Sequence, residues 1–81
     1  MALRKIEIIL PVDQENALNE LIQDFSLDGI LRMPIDGDKI AVSFVTDAEQ
    51  SEPLIDTINN RFSSISGYHL LVYGIEVYLP R

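Results

Sequence analysis

The sequence has no cysteine and no tryptophan, one histidine, and only six lysines and arginines against thirteen aspartates and glutamates. Without cysteine there is no disulfide framework, no thiolate nucleophile and no Cys-ligated zinc; the absence suits a reducing cytosol. His69 is the only histidine, so no Ser-His-Asp or Cys-His pair with a separate partner can be argued. It reads as an outer-face residue of the last strand, with titration near neutral pH or metal binding as the functional alternative. The shortage of cations leaves a formal net charge of −7. The acids gather in two stretches, Asp13 to Asp28 and Asp47 to Asp56. Such a field repels phosphate backbones and anionic membrane surfaces, which excludes direct nucleic-acid binding. No apolar run approaches the roughly 18 residues of a spanning helix, so this segment does not insert into a membrane by itself. The opening MALRKIEIIL places positive charge before apolar residues, as a signal peptide does. Its apolar run ends at Pro11 with no small-residue cleavage site, and it reads as a first strand.

What is present is enough for one domain: 81 residues, 47% of them apolar. Lys5 to Leu10 is short, isoleucine-rich and nearly continuous, the pattern of a central strand. Asp13 is a plausible helix N-cap, and Asp13 and Glu15 would favour the positive helix end. Ala17, Leu18, Leu21, Ile22 and Phe25 then form one apolar stripe, and Gly29 stands where a helix terminator is expected. Asp36-Gly37-Asp38 between two apolar runs predicts a hairpin. The first run contains Pro34, which cannot donate to a ladder and so belongs on an edge strand. In the second, Ile40, Val42 and Phe44 share the better-buried face.

Thr46-x-x-Glu49 resembles a capping box, and Ser51 before Glu52-Pro53 is a second start for the same helix; Pro53 favours the later one for its regular part. Leu54, Ile55, Ile58, Phe62 and Ile65 give its apolar stripe, and Gly67 ends it. YHLLVYGIEVYLP reads as a long last strand with an irregularity, such as a bulge, at Gly74. Two strand-helix-strand units sharing a hairpin predict an α+β, ferredoxin-like βαββαβ two-layer sandwich. Its four-stranded sheet is antiparallel, with the first and third strands central.

Chemistry known on this topology is mostly missing. An acylphosphatase-like enzyme needs an arginine in the loop after the first strand, and Pro11-Val12-Asp13-Gln14 offers an acid there. A metallochaperone would use Cys-x-x-Cys in that loop. An RNA-recognition domain stacks bases on strand aromatics, but Phe44 lies in the core row. Asp36 and Asp38 flank a glycine and could approach calcium, yet that ion needs six to eight oxygens; the pattern is that of a turn. No cofactor, metal or catalytic residue is expected, and the chain reads as a non-enzyme.

Glu7 and Glu76 each sit inside an apolar strand. If first and last strands are neighbours, the two form a candidate carboxylate pair that would raise each other's pKa or invite a cation. The alternative is that both lie on an open sheet face beside Arg4, Lys5 or Arg32 as exposed pairs. That face, left free when both helices cover the other side, is expected to carry Arg32, Tyr73, Glu76 and Tyr78 with some aliphatics, and to serve self-association or a second domain.

The ends, Met1-Ala2-Leu3-Arg4-Lys5-Ile6-Glu7-Ile8-Ile9-Leu10-Pro11 and Gly74-Ile75-Glu76-Val77-Tyr78-Leu79-Pro80-Arg81, resemble those of a particular soluble region. It is the N-terminal domain of the hydrophobic membrane-protein family called domain of unknown function 389. The resemblance runs end to end: an R-x-I-E-type strand ending in proline, two acidic helices around a hairpin, and a V-E-x-x-L-P-type exit. Val77 and Tyr78 depart from the smaller residues usual there. The resemblance implies a cytoplasmic domain cut from a longer chain that continues into membrane helices, with the membrane domain of the same protein as a partner. It implies no activity and no site residues. The expected function is then a non-catalytic regulatory or assembly domain of a membrane protein. The alternative is a small-molecule-sensing module resembling the ACT domain, although the turn after the first strand lacks that module's usual glycine.

Overall fold

Ile6, Ile8 and Leu10 are fully buried while Lys5, Glu7 and Ile9, which alternate with them, are only half-buried. That period of two is what a strand with one face on a core requires. It defines β1, Leu3–Pro11, in the computed structural model, which describes residues 2–76. A single 3-10 turn, Val12–Gln14, leads into α1, Glu15–Ile22. Asp13 does not cap this helix: it lies inside the turn, and Gln14 at the cap position makes no side-chain bond. The chain is already winding there because Val12 N–H donates to the Asp38 carbonyl at 2.9 Å, tying the turn to the hairpin. The helix stops at Ile22, well before Gly29, and Phe25 reaches the core from the following turn.

β2, Asp28–Ile35, and β3, Lys39–Asp47, form the expected hairpin, with Asp36 (φ 53°) and Gly37 (φ 78°) both left-handed in the turn. α2 runs Ala48–Phe62 and β4 runs His69–Ile75. Neither expected residue caps α2. Asp47 does, its carboxylate accepting from Gln50 N–H at 2.7 Å. Thr46 still belongs to β3, and its Oγ1 accepts from Gln50 Nε2 at 2.6 Å. Ser51 is already inside the helix, buried, with Oγ donating to the Ala48 carbonyl at 2.7 Å. Pro53 sits in the helix and gives up only the bond toward the carbonyl of Glu49, an exposed residue. The helix ends at Phe62, before Gly67.

The sheet order is β2-β3-β1-β4, antiparallel throughout, with β1 and β3 central and the proline-bearing β2 at an edge. This is the α+β ferredoxin-like arrangement that the sequence predicts. No bulge occurs at Gly74, where the pairing with β1 runs unbroken from Ile9–His69 to Leu3–Ile75. The irregularity lies in β2 instead, between Asp28 and Leu31, where Gly29 takes φ 60°. The strand continuation and exit expected over 77–81 lie outside the described residues.

Both helices pack on one face of the sheet. Leu18 and Ile22 from α1 and Leu54, Ile58 and Phe62 from α2 close over Ile6, Ile8, Leu10, Ile40, Val42 and Phe44. Each such side chain is worth about 1.5–3 kcal/mol in removal from water. Among the described residues no helix is long and apolar enough to cross a membrane, which says nothing of a β-barrel.

Candidate functional site: the open face of the sheet

The face away from the helices is laid out by the pairing register. One row runs Leu31, Ser43, Glu7, Leu71; a second Met33, Ala41, Ile9, His69; a third Val45, Lys5, Tyr73. Ala41 and Ser43 are buried even here because their central strand is flanked by longer side chains on both sides. The outer members are left in water: Leu31 is 68% exposed, Met33 66% and Tyr73 43%. Exposed apolar side chains gathered on one face in this way mark a candidate interaction surface.

A cluster of three of its polar side chains, Glu7, Tyr73 and Lys5, interrupts it. Tyr73 Oη donates to Glu7 Oε1 at 3.3 Å, and Lys5 Nζ lies 5.7 Å from the centre of the Tyr73 ring. The Tyr73 phenol is raised above its ordinary range, first by desolvation and then by the charge and hydrogen bond of Glu7. A hollow of about 380 Å³ opens beside this cluster where the β2 bulge pulls back, lined by Lys5, Gly29, Leu31, Ser43 and Val45 among others. It combines apolar walls with one ammonium and one hydroxyl, the makings of a weak small-molecule site. A second hollow of about 450 Å³ lies beside Ala2, Asp47, Ala48 and Glu49 at the start of α2. Its two carboxylates are poorly suited to an anion, and Asp47 is already engaged as the cap.

Glu7 and Glu76 are not brought together. Glu7 stands opposite Leu71, whereas Glu76 follows the end of β4, past the Leu3–Ile75 pair. Five residues of strand, about 17 Å, separate the two positions. Glu7 meets a tyrosine instead. Arg32, expected on the open face, is on the helix side, opposite the core residue Val42 and bonded to Glu15 of α1. The alternation in β2 misleads: the apolar row Leu31, Met33 and Ile35 faces the open side, and Arg32 and Pro34 stand opposite the core residues Val42 and Ile40. Tyr73 lies on the open face as expected, and Tyr78 is outside the described residues. His69 is exposed at the end of β4. No cluster of three or more metal-ligating side chains occurs among the described residues.

No protein-family model and no curated protein matches the sequence. Solved structures do match. The apo form of CPII, a nitrogen regulatory PII-like protein from Thiomonas intermedia K12, superposes with a TM-score of 0.82 at 20% identity, over 99% of this chain and 96% of that one. The same protein bound to ADP, AMP and acetate gives 0.79 at 20% identity, over 98% and 91%. A protein classed as PII-like and signaling, from Thermus thermophilus, gives 0.80 at 14% identity, over 93% and 87%. The fold is the PII-like one. At such identities the likeness establishes architecture alone. On that fold this chain carries a three-residue turn between β2 and β3, a β4 without Asp, Glu, Lys or Arg, and a Glu7–Tyr73–Lys5 cluster on the open face.

Proposed function

We propose that the chain is a non-catalytic regulatory domain that binds a small molecule and passes the signal on by association. We also propose that it serves, on the cytoplasmic side, the kind of membrane protein whose soluble region its two ends resemble. The observation that carries the first part is the near full-length superposition on a nitrogen regulatory PII-like protein whose solved structures hold ADP, AMP and acetate or bicarbonate. Adenine nucleotides and small carboxylates are therefore the ligand classes to test first.

The charge balance ranks them. A chain of net charge −7 opposes polyanions. Of its cations, Arg32 is already held by Glu15 and Lys5 lies over Tyr73. AMP should therefore bind at least as well as ADP, and both better than ATP. The test is thermal unfolding with AMP, ADP, ATP, bicarbonate, acetate and amino acids in turn. A ligand at about 100 times its Kd stabilises the fold by about 2.7 kcal/mol, several degrees of Tm in a domain this small. No shift with any of these compounds would overturn the sensing role, and a shift with amino acids alone would favour the ACT-like alternative. The membrane assignment rests on Arg4-x-Ile6-Glu7 with Pro11 at one end and Leu79-Pro80 at the other. It is tested on the source gene, where apolar stretches of about 20 residues after the codon for Arg81 are expected.

A further inference from the structure

Ser43 on the central strand β3 is only 9% exposed, yet its hydroxyl bonds no other group among the described residues. No side-chain oxygen there is both unpaired and sealed from solvent, so this one opens into the hollow that Ser43 lines beside the β2 bulge. Lys5 lines the same hollow. Among the described residues its ammonium meets no carboxylate, the single ion pair there being Arg32 with Glu15. Its hold on Tyr73, 5.7 Å from the ring centre, is a weak one. Gly29, with no side chain, leaves the space open, and Leu31, Val45 and Ile75 supply apolar walls. No described acid lines the hollow. Glu7, its carboxylate taken by the Tyr73 hydroxyl, and Asp28, opposite Val45, stand outside it.

We propose that this hollow binds a monocarboxylate with a short apolar body, its carboxylate at Lys5 Nζ and Ser43 Oγ and its hydrocarbon against Leu31, Val45 and Ile75. Such a site rests on the small-molecule role proposed above and gives it a place and a ligand class. One ammonium in the lining neutralises one negative charge. A second charge on the ligand would face Glu7 and Asp28 around the rim, which disfavours dicarboxylates and phosphate esters. An α-amino acid brings an ammonium that finds no acid in the lining and one like charge, Lys5. The Ser43 hydroxyl, half withdrawn from water and unpaired, gains its partner when the anion arrives. At about 380 Å³ the hollow lies near the small end of ligand pockets, so the hydrocarbon is short. The connection that feeds the bulge is already fixed, since Gln50 bonds both the amide and the carbonyl of Ser26. The walls therefore stand before the ligand arrives, and little ordering is needed on binding.

Calorimetry and amide NMR titrations of the 81-residue chain with acetate, butyrate and hexanoate test the site. Affinity should rise about fourfold per added methylene. The amides of Gly29, Leu31, Ser43 and Val45 should move while that of His69 stays still. Adipate, leucine and hexylamine should all bind more weakly than hexanoate. Lys5→Met keeps the aliphatic stem and should weaken hexanoate about tenfold or more. Lys5→Glu should turn the preference to hexylamine, which a misfolded chain could not show. Val45→Phe fills the hollow and should abolish binding, while Met33→Ser, on the same face but outside the hollow, should leave it unchanged. Hexanoate that binds Lys5→Met as well as the parent, or that is lost in Met33→Ser, marks adhesion to the apolar face and overturns the site. Absence of hexanoate binding overturns it too. If AMP or ADP still stabilises the fold in that case, the regulatory reading stands and this site alone fails; binding of no compound at all overturns both.

Discussion

Arg32 on edge strand β2 holds Glu15 at the start of α1 with two hydrogen bonds, Nε to Oε2 at 2.6 Å and Nη2 to Oε1 at 2.9 Å. The bidentate fork fixes the angle between an exposed edge and the first turn of the helix that covers it. The hydrogen bond from Arg32, assisted by its charge, holds the Glu15 carboxyl below the usual carboxylate range. A carboxyl that is harder to protonate in the fold than in the unfolded chain contributes stability at neutral pH. That contribution is lost as pH falls through its lowered value.

Arg32→Gln should therefore lower Tm modestly at pH 7, as expected for an exposed pair. The gap between variant and parent should narrow once pH drops below about 4. Thermal unfolding of both chains from about pH 7 down to about pH 2.5 checks it, and a gap that widens in acid would contradict the assignment.

Tyr73 should ionise later than free tyrosine, because desolvation and the neighbouring Glu7 carboxylate both oppose a phenolate there. Tyr68 is raised as well, by burial. A phenol whose pKa is raised on folding favours the native state while it is neutral. Stability should hold below about pH 10 and decline as pH climbs through the raised values. Absorbance titration at the tyrosinate band should show Glu7→Gln bringing one phenol back toward its ordinary range. No change in that curve would mean that the Tyr73–Glu7 bond does not persist in solution.

Asp47→Ala removes the side chain that caps α2, freeing Gln50 N–H. A lost cap costs about 1 kcal/mol, within a range of about 0.5–2. Urea unfolding should show a lower midpoint at unchanged slope. Asp47→Asn, which can still accept the bond, should retain most of the stability.

Leu54 is fully buried between α2 and the sheet. Leu54→Ala should cost about 2–5 kcal/mol, a large share of the stability of a domain this size. Leu54→Met, nearly conserving volume, should cost less than about 1.5 kcal/mol. Equal losses for both would indicate a loosely packed site.

The fold was legible because its signals were local. Lys5 to Leu10 is a nearly continuous apolar run, Asp36-Gly37 demands a turn, and Pro34 can only sit at an edge; each restricts topology without reference to the rest of the chain. Helix ends were less legible because tertiary bonds decided them. Val12 bonds across to Asp38 and starts the winding early. Asp47 caps α2 because β3 runs one residue beyond Thr46. Gly74 and Gly29 show the same limit: both are glycines in strands, and only the pairing reveals that the bulge belongs to Gly29. The site was half legible. Glu7 stood out as an acid in an apolar strand, but its partner depends on register, and a shift of a few residues separates Tyr73 from Glu76 as its neighbour.

The hairpin turn at Asp36–Asp38 has a mechanical consequence. Its three residues, with Ile35 paired to Lys39 on either side, leave no slack for the strand ends to reach outward. The longer connection from α1 to β2 is clasped, since Gln50 bonds both the carbonyl and the amide of Ser26. With the hairpin closed and this connection clasped, neither segment has slack to swing away from the sheet, so the β2 edge moves only together with the helix starts it is tied to.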